Sequence, residues 1–335
     1  MIPARAGAQI AWMPRAVRLV VGLAVELSVL GCREKAASSG AAPAASGGPR
    51  AYVVGVSQCN LGEPWRVQMN ADIEHAASAH PSLKLVMKDA QNDSLRQRAQ
   101  VEELVAQHVD LLIISPKEAA PLTKPVREVF ERGIPVIVLD RAVEGDGFST
   151  FIGADNRRIG REAGKLVQKL LGGKGTVVEL EGLMTSTPAQ DRHAGFREGL
   201  DLPGNPGVTV AFEADMAWLE PNARREMESA LAAHKQIDVV YAHNDPGAHG
   251  AYLAAKAAGR EKQMKFVGID ALPQEGVRYV KEGILDATFA YPTGGAEAIA
   301  LGLQLLEGKQ PPHRVTLGTR LYTKDNVERG GEEIR

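Results

Sequence analysis

Polar groups cluster immediately after short apolar runs in this chain. Val136-Ile137-Val138-Leu139 runs into Asp140-Arg141, and Val239-Val240-Tyr241-Ala242 runs into His243-Asn244-Asp245. Phe266-Val267-Gly268-Ile269 runs into Asp270, and Val177-Val178-Glu179-Leu180 runs into Glu181-Gly182. Carboxylates accept hydrogen bonds, a guanidinium donates them from a planar fork, and an Asn amide does both. Together they match a small polyhydroxylated molecule, whose hydroxyls need both kinds of partner. Asp140 and Arg141 form the sharpest pair. The carboxylate would accept from neighbouring hydroxyls while the guanidinium donates to another oxygen, in charge-assisted bonds about twice as strong as neutral ones. A structural ion pair is the alternative reading of the same two residues.

Other candidates sit where a helix begins. Pro64 suits a first helical turn, so Trp65 and Arg66 stand at a helix N-terminus just past the run that ends at Ser57. An indole face covers the C–H face of a sugar ring; burial in a core is the other use of Trp65. Arg192 lies early in the helix opened by Thr187-Pro188, with Asp191 favouring the dipole of that helix end. Met216 or Trp218 would form an opposing apolar wall. Asp89–Asn92 and Ser115–Glu118 serve equally as contacts or as turn and cap residues.

Positioning these groups requires regular elements. Valine- and isoleucine-rich runs at 52–57, 83–88, 111–115 and 135–139 alternate with amphipathic stretches at 63–79, 95–108 and 122–132. The scheme repeats with strands at 176–180, 208–212, 237–242, 265–269 and 286–290 and helices between them, and a terminal stretch covers 315–322. Short Val/Ile-rich runs in such an alternation read as buried parallel strands. Two successive sets predict an α/β fold of two doubly wound Rossmann-like lobes. Ligands of open parallel sheets bind beyond the carboxyl ends of the strands, where the polar groups lie.

The 335 residues carry a formal charge of −2, so no basic field argues for nucleic acid. Arg5, Arg15 and Arg18 precede an apolar run too short to span a bilayer comfortably, as in an export signal. Val29-Leu30-Gly31-Cys32 resembles a bacterial lipobox, which implies a signal at 1–31 cut before Cys32 and a lipid on that cysteine. A plain secretory signal and an uncleaved anchor are the alternatives. Residues 32–50, rich in Ala, Ser, Gly and Pro, read as a tether. Cys59 follows the first strand and reads as a small buried residue. The spacing of His243 and His249 is wrong for helical metal ligands, and no phosphate-binding loop or nucleophile elbow is present, so no metal and no cofactor are expected.

The segments Tyr241-Ala242-His243-Asn244-Asp245, Gly268-Ile269-Asp270, Val138-Leu139-Asp140-Arg141 and Asp191-Arg192-His193-Ala194-Gly195-Phe196 resemble the periplasmic sugar-binding proteins of ABC importers. The likeness is to the type I, ribose-binding-like group, and most to its galactofuranose-binding branch. It implies lobes joined by a three-segment hinge, near Ala154-Asp155, Tyr291-Pro292 and Leu317–Thr319. The first lobe would comprise 51–154 with 291–318, and the second 155–290 with 319–335. It also implies sugar contacts at Trp65, Arg66, Asp140, Arg141, Arg192, Asn244 and Asp270. Tyr291 stands about where the ribose-binding group carries a glutamine, and is a further candidate. The implied role is capture of a monosaccharide by a monomer, for an ABC permease and its ATPase. Membrane contact would run only through the lipid on Cys32. A receptor presenting sugar to a histidine kinase or chemoreceptor, and a sugar-modifying enzyme, are the alternatives.

Overall fold

The computed structural model describes residues 50–334. The predicted signal, nearly all of the tether and Cys32 lie outside the described residues.

In chain order the first elements are β1 (Tyr52–Gln58), α1 (Pro64–Ser78), β2 (Leu83–Asp89), α2 (Ser94–Ala106), β3 (Leu111–Ser115), α3 (Ala119–Glu131), β4 (Val136–Leu139) and β5 (Thr150–Ala154). There follow α4 (Asn156–Leu171), β6 (Gly175–Glu181), α5 (Thr187–Leu200), β7 (Val208–Asp215), α6 (Glu220–Ala233), β8 (Val239–Ala242), α7 (Asp245–Ala257) and β9 (Lys265–Asp270). The chain ends with α8 (Gly276–Glu282), β10 (Ala287–Ala290), α9 (Gly295–Leu306), β11 (Arg314–Leu317), β12 (Arg320–Thr323) and β13 (Glu332–Glu333).

These strands form two sheets, ordered β11-β5-β4-β3-β1-β2 and β13-β12-β10-β9-β8-β6-β7. All pairings of the first sheet are parallel. In the second, only β12 runs antiparallel, to β10 and to β13. Strands β3, β4 and β8 are buried along their whole length, which is why they read as unbroken apolar runs and not as alternating ones. In each sheet the order reverses beside the first strand of its set, between β1 and β3 and between β6 and β8, so a crevice opens there past the carboxyl ends.

The chain passes between sheets from β5 to β6, from β10 to β11, and from β11 to β12. The terminal stretch expected as one element is therefore divided: Gly318 and Thr319 separate a strand of each sheet. Helix α3 starts at Ala119, earlier than Leu122, and carries Pro125 inside it. Cys59 is free and fully buried.

Helices α4 and α5 approach backbone to backbone. A Cβ on Gly195 would fall 2.0 Å from the Arg157 carbonyl oxygen, and one on Gly160 would fall 2.3 Å from that of Arg192. Gly164 and Gly199 repeat the contact one helical turn on. This close packing holds Arg192 beside Asn156, the first residue of α4.

Candidate functional site

A narrow cavity lies where the strand ends of the two sheets face each other. Glu63, Trp65, Arg66 and Asp140 line it from the first lobe. Pro188, Arg192, Trp218, Asn244 and Asp270 line it from the second, and Tyr291 lines it from a crossover.

Asp140 is the hub. It sits just past β4 in a left-handed conformation, φ +67°, and is 3% exposed. One oxygen lies 2.7 Å from Arg66 Nη2, and the other accepts a 2.7 Å hydrogen bond from the Tyr291 hydroxyl. That hydroxyl accepts from Asn156 Nδ2 at 3.0 Å, and Asn156 Oδ1 accepts from Arg192 Nε at 2.9 Å. A continuous polar chain thus runs from Arg66 in the first lobe to Arg192 in the second. Burial pushes the Asp140 carboxyl upward, but Arg66 and Arg141 outweigh it and hold it below its ordinary range. Burial raises the Tyr291 phenol, which stays protonated and donates to Asp140.

Aromatic rings wall the cavity. Trp65 and Tyr291 lie 5.2 Å apart and tilted, with Trp65 Nε1 donating to the Tyr291 carbonyl at 2.7 Å. The Arg66 guanidinium lies over Trp65 at 4.8 Å. On the other side Arg192 lies between Tyr291 and Trp218, 4.5 and 5.3 Å from the ring centres. Arg192 also donates to the His243 carbonyl. Trp218 is aimed by consecutive positive φ values at Ala217 and Trp218. Gly182 leaves room for its indole, since a Cβ there would fall 2.4 Å from the ring.

Other candidates are placed differently. Arg141 stands behind the lining: Nη1 donates to the Lys117 carbonyl at 3.1 Å and the guanidinium lies 5.5 Å from the Trp218 ring. Its Nε is 3.9 Å from Asp140, too far for a hydrogen bond, so the partner of Asp140 is Arg66 and not its neighbour in sequence. Met216 packs into the second lobe's core against Gly247 and does not line the cavity. Asn244 lines the cavity but also caps α7, accepting from Gly247 N at 2.9 Å and donating to the Trp218 carbonyl at 2.9 Å. Glu63 and Asn156 were not legible beforehand. Glu63 precedes a helical Pro and Asn156 follows a capping Asp155, and both patterns read as ordinary helix starts.

Asp270 faces the cavity with φ +131°, and Asp245 lies behind it. Asp245 accepts from Ala271 N at 2.7 Å and from the Thr288 hydroxyl at 2.6 Å, which anchors the turn that carries Asp270. Burial raises both carboxyls, and for Asp270 the charge of Asp245 adds to it. Raised carboxyls contribute stability that is complete below the ordinary aspartate value of about 3.9 and is lost as pH rises through the raised values. Thermal melts of the ligand-free protein between about pH 4 and 8 should therefore fall with pH, and Asp245→Asn should flatten that fall. An unchanged slope in the variant would rule out the buried pair as its source.

Beneath the second lobe's contribution lies Glu179, fully buried on β6. It meets His243 Nε2 at 3.1 Å, His193 Nδ1 at 3.2 Å and Arg197 Nη2 at 2.8 Å. Burial pushes the carboxyl up, yet the hydrogen bonds from both histidines, with Arg197, bring it down to about 2. Burial keeps His243 neutral; its Nδ1 accepts from Gly182 N, so Nε2 carries the proton toward Glu179. Glu179, Glu181, His193 and Glu213 bring ligand atoms within 4.8 Å of one another. Arg197 already supplies the positive charge there, 2.8 Å from Glu179 and 2.6 Å from Glu213.

Fold and site together define a two-lobed α/β protein with a small polar site between its sheets. Residues 54–310 match the family model described as a periplasmic binding protein domain, and the chain belongs to that family. The ribose import binding protein of Bacillus subtilis is 29% identical over 286 residues, 85% of this chain and 91% of that protein. Among solved structures, the fructose-binding periplasmic domain of a hybrid two-component system is 43% identical, with a TM-score of 0.80 over 83% of this chain and 93% of that one. A galactofuranose-binding protein is 27% identical, with a TM-score of 0.77 over 83% of this chain and 96% of that one. The chain is a binding protein of the ribose-binding-like group, not an enzyme.

Proposed function

We propose that this chain is an extracytoplasmic receptor that captures one monosaccharide between its lobes and delivers it to an ABC permease and its ATPase. The carrying observation is the convergence of Asp140 and Asp270, from different lobes, on one small cavity walled by Trp65, Trp218 and Tyr291. Carboxylates accept from ring hydroxyls, Arg66 and Arg192 donate to ring and hydroxyl oxygens, and the indoles cover apolar C–H faces. The lobe limits at 51–154 with 291–318 and 155–290 with 319–335 belong to this reading, with the crossovers as the hinge. So does a lipid on Cys32, which would hold the receptor at the membrane while residues 33–50 give it reach.

Fructose is the first candidate ligand, because the fructose-binding domain resembles this chain more than the ribose and galactofuranose proteins do. That same likeness favours a second reading, in which the loaded receptor signals to a membrane histidine kinase. A thermal-shift screen of fructose, ribose, galactose, arabinose and myo-inositol tests the ligand class. One sugar should raise the melting temperature in proportion to RT ln(1 + [L]/Kd), about 2.7 kcal/mol at a hundredfold excess over Kd. A flat response across the panel, with calorimetry silent as well, would end the monosaccharide reading. Pull-down of solubilised permease against kinase by the loaded protein separates the two roles.

A further inference from the structure

We propose that the loop after β4 holds an interlobe clasp, in which the Ala142 N–H seizes the second lobe and stabilises closure from outside the sugar site. This goes beyond the receptor reading, for it assigns part of the affinity to contacts outside the sugar site.

Three consecutive residues divide the work. Asp140 faces the cavity. Arg141 is held by the Lys117 carbonyl, with its Nε and Nη2 buried and without a hydrogen-bond partner beside the Trp218 ring. Ala142 N donates to Thr187 Oγ1 at 2.9 Å. Thr187 is the first residue of α5; the next residue, Pro188, lines the cavity, whereas Thr187 lines an adjoining hollow with Ala142 and Val143, and Asp140 stands between the two spaces.

The same loop is gripped from a second place. Ala119 N donates to the Thr185 carbonyl at 3.4 Å. Ala119 and Ala142 of the first lobe therefore bracket residues 185–187 of the second. Such contacts exist only when the lobes are closed. They raise the closed fraction, and apparent affinity scales with that fraction whichever sugar is bound.

The test is Thr187→Val, which keeps the shape and removes the acceptor, beside Thr187→Ser, which keeps it. Loss of one hydrogen bond worth about 0.5–1.5 kcal/mol corresponds to an apparent Kd raised about twofold to tenfold. The rise should be the same for the best sugar and for a weaker one, should appear in the dissociation rate, and should be restored by Thr187→Ser. Thermal melts of the ligand-free variants control for misfolding. A Kd equal to the parent's overturns the clasp; a changed ratio between the two sugars also does, because Thr187 would then act through the ligand site. If the parent bound no sugar, the receptor reading alone would fall. The clasp is then read from small-angle scattering of ligand-free protein. Thr187→Val should be more extended than the parent, and identical profiles overturn it.

Discussion

Asp140→Ala is expected to raise the Kd for the cognate sugar by roughly 10²–10³-fold. Each charged hydrogen bond to a hydroxyl contributes about 1.5–3 kcal/mol, and the substitution removes the acceptor for more than one. It also strips the buried Arg66 of a partner at 2.7 Å and the Tyr291 hydroxyl of its acceptor. Breaking a buried pair from one side costs about 3–5 kcal/mol, because the remaining charge stays desolvated. Asp140→Asn, which keeps the shape and one carbonyl oxygen, should weaken binding less, on the order of tenfold to a hundredfold. Isothermal titration calorimetry on both variants decides the matter. Parental affinity in Asp140→Ala would remove this carboxylate from the site and with it the hub of the polar chain.

The second large effect concerns folding. Glu179→Ala should lower stability by about 3 kcal/mol, the lower end for a broken buried pair, because Arg197 keeps its contact with Glu213. At roughly 2–4 °C per kcal/mol, the melting temperature should drop by about 6–12 °C. The sign of its pH dependence follows from the lowered carboxyl. A carboxylate held down at about 2 contributes stability that is full above the unfolded glutamate value of about 4.3 and is lost as pH falls toward 2. The gap between parent and variant should therefore close over that acidic window and stay constant above it. Sugar affinity measured well below the melting range should change only severalfold, since Glu179 reaches the cavity only through His243 and Arg192. Equal melting temperatures at neutral pH would show that the buried network contributes nothing net.

Much of the architecture was legible because buried parallel strands advertise themselves. Val136–Leu139 and Val239–Ala242 are apolar on both faces, so the polar residues after them had to lie at strand ends. That reasoning reached Asp140, Asn244 and Asp270, all of which line the cavity. It did not say which guanidinium Asp140 would meet. Adjacency offered Arg141 as the alternative ion-pair partner, but its Nε lies 3.9 Å from the carboxylate, and Arg66 arrives from another element at 2.7 Å. Likewise nothing in Ala214–Trp218 says which side chain faces the cleft. The left-handed pair Ala217–Trp218 settles it by turning the indole outward while Met216 stays in the core.

The amino-acid sequence alone determined the local order: where strands and helices alternate, which strand ends carry polar groups, and the fold class that follows. These depend on periodicity and on residues a few positions apart. Only the tertiary structure decided which groups meet. Glu63 and Asn156, the bridging of both lobes by Tyr291, and the grip of Ala142 on Thr187 all depend on where the crossovers set one sheet against the other. Such distances arise from packing between segments far apart in the chain, such as the glycine-lined contact of α4 with α5, and no local pattern encodes them.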